Sequence, residues 1–250
     1  MERGLYAAAT GMIAQQTIQE SIAQNLANTN TAGYKADVPT FKAVHGMALR
    51  RAADGAAVGA GIGEVGMGVG VDRVYTDWQV GPQAVTSGPL DASLDPGQFF
   101  AMETARGTRY TRAGNFQLDS AGNLTNSSGL RVLGADGKPV KIAGSVPPKL
   151  QPNGTVTVDG AVVATLQIVD AANGALAKDG DTLFSVTDAR GVRPAARPGV
   201  HPGTLEQSNV NAVSGMVRLI TVSRGFDMAQ RAILTQDDLL KHAANDLARV

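Results

Sequence analysis

The stretch "LITVSRGFDMAQRAILTQDDLLKHAANDL" (219–247) repeats apolar residues in alternating steps of three and four. The positions are Leu219, Val222, Phe226, Ala229, Ile233, Gln236, Leu240, Ala243 and Leu247, eight of the nine apolar. That rhythm puts them on one stripe of a helix, the pattern of a heptad seam. No glycine follows Gly225 and no proline follows Pro202, so nothing interrupts a helix predicted over residues 210–248.

Working back to the other end, the same rhythm returns. Leu5, Ala8, Met12, Gln15, Gln19, Ile22 and Leu26 form a second seam with a polar middle. A helix carrying it would be roughly 35–40 Å long at about 1.5 Å per residue. Asn28 or Asn30 can end it, since asparagine tolerates the left-handed conformation of a helix stop. Gln15, Gln19 and Gln236 sit inside these apolar seams. They either face solvent on half-buried helices or, the reading favoured by their placement, set register and partner choice.

Between the helices the chain changes character. From residue 70 to 205 short apolar or alternating runs are separated by Asp136-Gly137, Asn153-Gly154, Asp159-Gly160, Asn173-Gly174 and Asp179-Gly180. "TVTVDGAVVATLQIVD" (155–170) reads as two strands with a tight Asp-Gly turn, and "TRYTRAGNFQLDSAGNLTN" (108–126) as another hairpin. A compact β domain, barrel or sandwich, is expected. Before it, "AADGAAVGAGIGEVGMGVGVDRV" (52–74) has too much glycine for a helix, and is either a flexible connection or an extended strand lying close to other backbone. The expected fold class is α+β, with N- and C-terminal coiled-coil-like helices flanking an inserted all-β domain. The expected segments are 1–30, a helix; 31–75, a turn and glycine-rich connector; 76–205, the β domain; and 206–250, the second helix.

Composition removes several functions. Of 250 residues, 43% are hydrophobic, which excludes a disordered polymer. Lys plus Arg equals Asp plus Glu at 22 each, without the basic excess of a nucleic-acid binder. No apolar run is long enough for a membrane helix, and "MERGLYAAATGMIAQQ" (1–16) does not read as a secretory signal. With no cysteine, disulfides, thiolate catalysis and sulfur-held zinc are excluded. "GIGEVG" (61–66) matches a dinucleotide fingerprint by letters, but glycine-rich alternation follows it rather than a helix. His45, His201 and His242 lack ligand spacing, and no Gly-x-Ser-x-Gly occurs. No enzyme, cofactor or metal is expected.

Three motifs carry a family resemblance. "AQNLANTNTAGYKAD" (23–37) resembles the N-terminal signature of the bacterial flagellar rod and hook axial proteins. "GPLDASLDPGQFFAME" (88–103), followed by "YTRAGNFQLDSAGNLTNSSGLRVLG" (110–134), resembles their β-domain entry. "GTLEQSNVNAVSGMVRLITVSRGFDMAQRAI" (203–233) resembles their C-terminal signature. The resemblance implies an axial subunit of the periplasm-spanning basal-body rod, exported unfolded through the flagellar type III apparatus without a cleaved signal. Its partners would be further copies of itself, other rod and hook axial proteins, and the export apparatus. Chain length suits the larger proximal rod component, favoured here, or the distal one. A secreted β-domain adhesin module with coiled-coil ends is the competing reading.

On this basis the expected assembly interface is Leu5, Met12, Gln15, Gln19, Ile22, Leu26, Leu219, Val222, Phe226, Ile233, Gln236, Leu240 and Leu247. The signature turn is Asn25, Leu26, Ala27, Asn28, Gly33 and Tyr34. Asn25 to Asn28 are expected to end the helix, Thr29 to Gly33 to turn the chain, and Tyr34 and Lys35 to start a connector. Gly33 is expected to permit a positive φ and close packing on neighbouring subunits. Its replacement by valine should then impair assembly more than β-domain folding. The terminal helices are expected to be loosely ordered until docking covers their seams.

Overall fold

The computed structural model describes residues 2–44, 46–50, 61–66, 68–142, 147–172 and 174–247. The chain divides into two compact units, one of Met1–Leu26, Asp37–Tyr75 and Ala212–Val250, the other of Ala27–Ala36 and Thr76–Asn211. The architecture is α+β, with a helix at each end and a β domain between them.

The first unit holds helix α1 (Glu2–Ala27), strands β1 (Asp37–Ala43), β2 (Gly46–Arg50), β3 (Gly61–Gly66) and β4 (Val69–Thr76), and helix α2 (Ala212–Leu247). Helix α1 is rich in alanine and free of proline, and stops where Asn28 to Asn30 form a turn. The helices run antiparallel: Gly4 faces Gln236, Gln15 faces Gly225, and Leu26 faces Gly215. β1 pairs with β4, and β2 pairs antiparallel with β3 from Gly46↔Gly66 to Arg50↔Gly61. Of the two readings of the glycine-rich stretch, the strand holds for 61–66 and 69–76; residues 51–60 lie outside the described residues. "GIGEVG" is itself a strand, so it does not open a helix as a dinucleotide loop must.

The second unit is built from short strands. They are β5 (Gln83–Val85), β6 (Ala92–Leu94), β7 (Gln98–Thr104), β8 (Gly107–Thr111), β9 (Gln117–Leu118), β10 (Leu124–Thr125), β11 (Arg131–Val132), β12 (Lys149–Leu150), β13 (Thr155–Val158) and β14 (Ala161–Thr165). They continue with β15 (Ile168–Ala171), β16 (Leu176–Lys178), β17 (Leu183–Val186), β18 (Val192–Pro194), β19 (Val200–Pro202) and β20 (Thr204–Glu206). The main sheet runs β16-β17-β8-β7-β11-β10-β9, with β15 joining β7 to β18. The Asp159-Gly160 turn joins β13 to β14 with both residues at positive φ, 51° and 80°, as a two-residue hairpin turn requires.

Strand β7, "QFFAMET", explains where the core sits. Successive side chains point to opposite faces of a sheet. Phe100 and Met102 enter one apolar cluster with Leu94, Phe116, Leu124 and Val156. Phe99 and Ala101 enter another with Tyr110, Leu133, Leu176 and Phe184. A strand covered on both faces reads as a continuous apolar run rather than an alternation. Trp78 closes the second cluster, edge-on to Phe99 at 5.8 Å and tilted on Phe184 at 4.9 Å.

Candidate functional site

Two constellations use the residues that the sequence singles out, one in each unit. In the first unit α1 and α2 pack on each other, the seam residues Gln15, Leu26 and Gln236 lying against Gly225, Gly215 and Gly4 of the facing helix. Leu5, Met12, Gln15, Gln19, Ile22 and Leu26 are all half-buried on α1. Leu219, Val222, Phe226, Ile233, Gln236 and Leu240 are half-buried on α2, while the side chain of Leu247 lies outside the described residues. Packing of the two terminal helices on each other is one of the arrangements their seams allow, beside packing on other copies. Long glutamines oppose glycines: a Cβ on Gly225 would lie 3.2 Å from Gln15 Nε2, and one on Gly4 would lie 2.9 Å from Gln236 Oε1. Each glutamine fills the space that a missing side chain leaves on the facing helix.

At the end of α1, Asn25 fastens the returning chain. Its Nδ2 donates to the Asp37 carbonyl at 2.8 Å and its Oδ1 accepts from the Asp37 N–H at 2.9 Å, with Ser21 Oγ donating to the same carbonyl at 2.7 Å. The loop of ten residues between, 27–36, belongs to the second unit.

There it forms the second constellation. Thr31 N–H donates to the Asn28 carbonyl at 3.2 Å and Tyr34 N–H to the Thr31 carbonyl at 3.3 Å, turning the chain. Gly33 adopts φ +67° and its N–H donates to the Glu206 carbonyl at 2.8 Å. A Cβ there would lie 2.3 Å from Ala113 N and 2.4 Å from the Arg112 carbonyl carbon. The positive φ was expected; the packing partner was not, since Gly33 abuts its own chain. Tyr34 is fully buried, with Lys178 Nζ 3.9 Å from its ring centroid and donating to the Lys35 carbonyl at 2.8 Å. Tyr34 and Lys35 are therefore core residues of this unit.

Lys35 leads to a buried charge cluster. Its Nζ donates to Glu206 Oε1 and to the Gln79 carbonyl, both at 2.6 Å. Glu206 Oε1 also accepts from Gly81 N–H at 3.1 Å, and Oε2 accepts from Nε and Nη2 of Arg112. Arg112 spends its remaining donors on the carbonyls of Leu94, Asp95 and Gln98. All three side chains are at most 2% exposed. Burial pushes the Lys35 ammonium below its ordinary pKa, and Glu206 opposes that shift. Asn209 completes the clamp: its Oδ1 accepts from Ala36 N–H at 2.8 Å and its Nδ2 donates to the Asp77 carbonyl at 2.9 Å. Asp77 N–H returns a bond to the Ala36 carbonyl at 2.8 Å. The anchored positions lie next to three places where the chain passes from one unit to the other: after Ala36, before Thr76 and after Asn211.

Sequence reading picked out Gly33, Tyr34 and Lys35 but missed the partners of Lys35, namely Arg112 and Glu206, and missed Asn209. One signal was present: each of the three quoted motifs places one charged residue among small and apolar neighbours in "GYKA", "YTRAGNF" and "GTLEQSNV". A second feature also went unread. Val213, Met216, Val217, Ile220, Met228, Leu234 and Leu239 are 52–72% exposed. With about 3.6 residues per turn they fall on the side of α2 away from its seam. Among the described residues no group of three or more His, Asp or Glu is placed to hold a metal, and no helix is long and apolar enough to cross a membrane.

Three family models match the chain in order. They are a flagella basal body rod protein model at residues 5–35, a flagellar hook protein FlgE/F/G D1 domain model at 96–164, and a flagellar basal body rod FlgEFG protein C-terminal model at 201–247. The chain is 33% identical to the flagellar basal-body rod protein FlgG of Bacillus subtilis, across 98% of this chain and 99% of the relative. It is 34% identical to the FlgG protein of Agrobacterium fabrum, across 98% and 99%. It is 29% identical to the flagellar basal-body rod protein FlgF of Rhizobium meliloti, across 91% and 90%.

Proposed function

The chain belongs to the flagellar basal-body rod protein family and is a structural subunit of the rod, and from that premise we propose how its parts serve assembly. The terminal helices form the polymerising element. Their seams pair within the subunit in a coiled-coil-like manner, with Leu5, Met12, Ile22, Leu26, Leu219, Val222, Phe226, Ile233 and Leu240 as the apolar layers. Gln15, Gln19 and Gln236 set the register. The outer stripe of α2 meets neighbouring copies and other axial proteins of the basal body.

The observation that carries this reading is the exposed apolar patch of Val213, Met216, Val217 and Ile220 on the first turns of α2. A helix that is apolar on two sides is built to be buried on both. A contiguous run of large apolar side chains left in water marks an interaction surface. Fully burying each such residue contributes roughly 1.5–3 kcal/mol, so the four of this patch supply a contact repeated at every added subunit.

The clamp around Lys35, Arg112 and Glu206 serves a different need. A rod subunit carries torque, and the chain must not peel away from the β domain where it leaves for the helices. Buried ion pairs with saturated hydrogen bonds are specific in geometry, which suits an anchor.

We propose the proximal rod as its position, from chain length, and delivery through the flagellar export apparatus. Electron tomography of basal bodies from a deletion strain tests the role and the position together. A rod that stops short supports it, with the level of the stop assigning proximal or distal. A complete rod bearing hook and filament refutes it.

A further inference from the structure

A pocket opens beside the clamp. It is a cavity of about 50 Å³ whose lining includes Lys35, Arg112, Trp78, Phe99, Val80 and Ala172. At ~10–15 Å³ for one water, it has room for a few waters or one group the size of acetate. Its surroundings are charged unevenly. Lys35 and Arg112 bring two buried positive charges, against the one buried carboxylate of Glu206. Glu206 is saturated by Lys35, Gly81 and Arg112, and Asp77 Oδ1 accepts from Gln79 N–H at 3.1 Å. Arg112 has all five donors in use, with its guanidinium carbon 5.7 Å from the Phe99 ring centroid. Lys35 differs: an ammonium has three N–H donors, and it makes two hydrogen bonds among the described residues. The pocket therefore combines a buried cation with a donor to spare and the apolar surfaces of Trp78, Phe99 and Val80.

We propose that this pocket binds a small carboxylate, its charged end on Lys35 and its short apolar end against Trp78 and Phe99. A neutral apolar ligand would leave the ammonium without its third acceptor, and a bulky anion exceeds the space. Burial also holds the Lys35 pKa down, and a bound anion would relieve that cost. The carboxylate has two sources, a free metabolite-sized acid or an Asp or Glu side chain of a neighbouring copy. The pocket itself is formed within the second unit, so acetate binding to the subunit tests it whether or not the rod role holds.

The chain supplies its own reporter, since Trp78 is its only tryptophan. The full-length monomer is titrated with sodium acetate at constant ionic strength while Trp78 emission and the melting temperature are followed. The site predicts a saturable emission change with a midpoint in the millimolar range, the affinity open to so few ligand atoms, and a rising melting temperature. Lys35→Met removes the response, and Ala172→Phe, which obstructs the pocket without touching a charge, removes it too. Circular dichroism of both variants confirms that they fold. Competition by acetate against polymerisation identifies a neighbour's side chain as the source; polymerisation indifferent to acetate identifies a free acid. A wild-type response that is linear or absent, or one that persists in both variants, overturns the proposal.

Discussion

Replacing Glu206 by glutamine is the sharpest perturbation of the clamp. The side chain keeps its shape but loses its charge, leaving Lys35 and Arg112 buried as uncompensated cations. Glu206 accepts from Lys35 Nζ, Gly81 N–H and two nitrogens of Arg112. An amide has one acceptor oxygen, so its NH2 must face either Lys35 and Gly81 or Arg112, donor against donor. Removing one partner of a buried ion pair costs about 3–5 kcal/mol. A domain of this size shifts its melting temperature by about 2–4 °C per kcal/mol, so the drop is about 6–20 °C. Urea or thermal unfolding followed by Trp78 emission reads the second unit selectively, because that residue packs in its aromatic cluster. Lys35→Met is the control, since it leaves Arg112 and Glu206 as a matched pair and costs less. If Glu206→Gln unfolds within about 0.5 kcal/mol of wild type, the range of a neutral surface change, the clamp is not what holds segment 27–36 in place.

Gly33→Val destabilises the second unit by about 2 kcal/mol or more, because a positive φ alone costs roughly 1–2 kcal/mol in an L-residue and the Arg112–Ala113 backbone blocks the new side chain; wild-type Trp78 unfolding of this variant contradicts the close packing. Gly225→Ala gains nothing, although alanine is about 1 kcal/mol the better helix former, because its Cβ would press on Gln15 Nε2 at 3.2 Å, closer than ordinary van der Waals contact; Gln15→Ala restores the gain, and a full gain in the single variant by far-UV circular dichroism counts against the register contact. The Arg109 side chain, donating to Asp179 Oδ2 at 2.7 Å, holds that carboxyl below its ordinary pKa. Its contribution is therefore present above the usual carboxylate value and lost as pH falls through the lowered one. Asp179→Asn flattens that acid limb of stability, and an unchanged limb refutes the assignment.

The terminal helices were legible because their period is local. Spacing alone located the stripes from Leu5 to Leu26 and from Leu219 to Leu240, and the lack of any proline after Pro202 left the second helix uninterrupted. The Asp159-Gly160 hairpin was legible for a similar reason: two positive-φ residues leave a signature in adjacent letters. The clamp was not, because Lys35, Arg112 and Glu206 are separated by 77 and 94 positions and no periodicity links them. Strand β7 hid its two faces, since burial on both sides erases alternation. The outer stripe of α2 was masked by its own seam. Once one apolar stripe accounts for a helix, the remaining methionines, leucines and valines read as scatter until exposure shows that they share a side.

The central claim is that this outer stripe of α2 joins the subunit to its neighbours in the rod. It is tested by complementing a deletion strain with the double variant Val217→Asp, Ile220→Asp and imaging basal bodies by electron tomography. Both side chains are exposed in the subunit, at 59% and 55%, so the purified variant keeps wild-type circular dichroism and melting temperature. The rod in those cells is predicted to stop at the level seen in the deletion strain. A full-length rod carrying hook and filament contradicts the account.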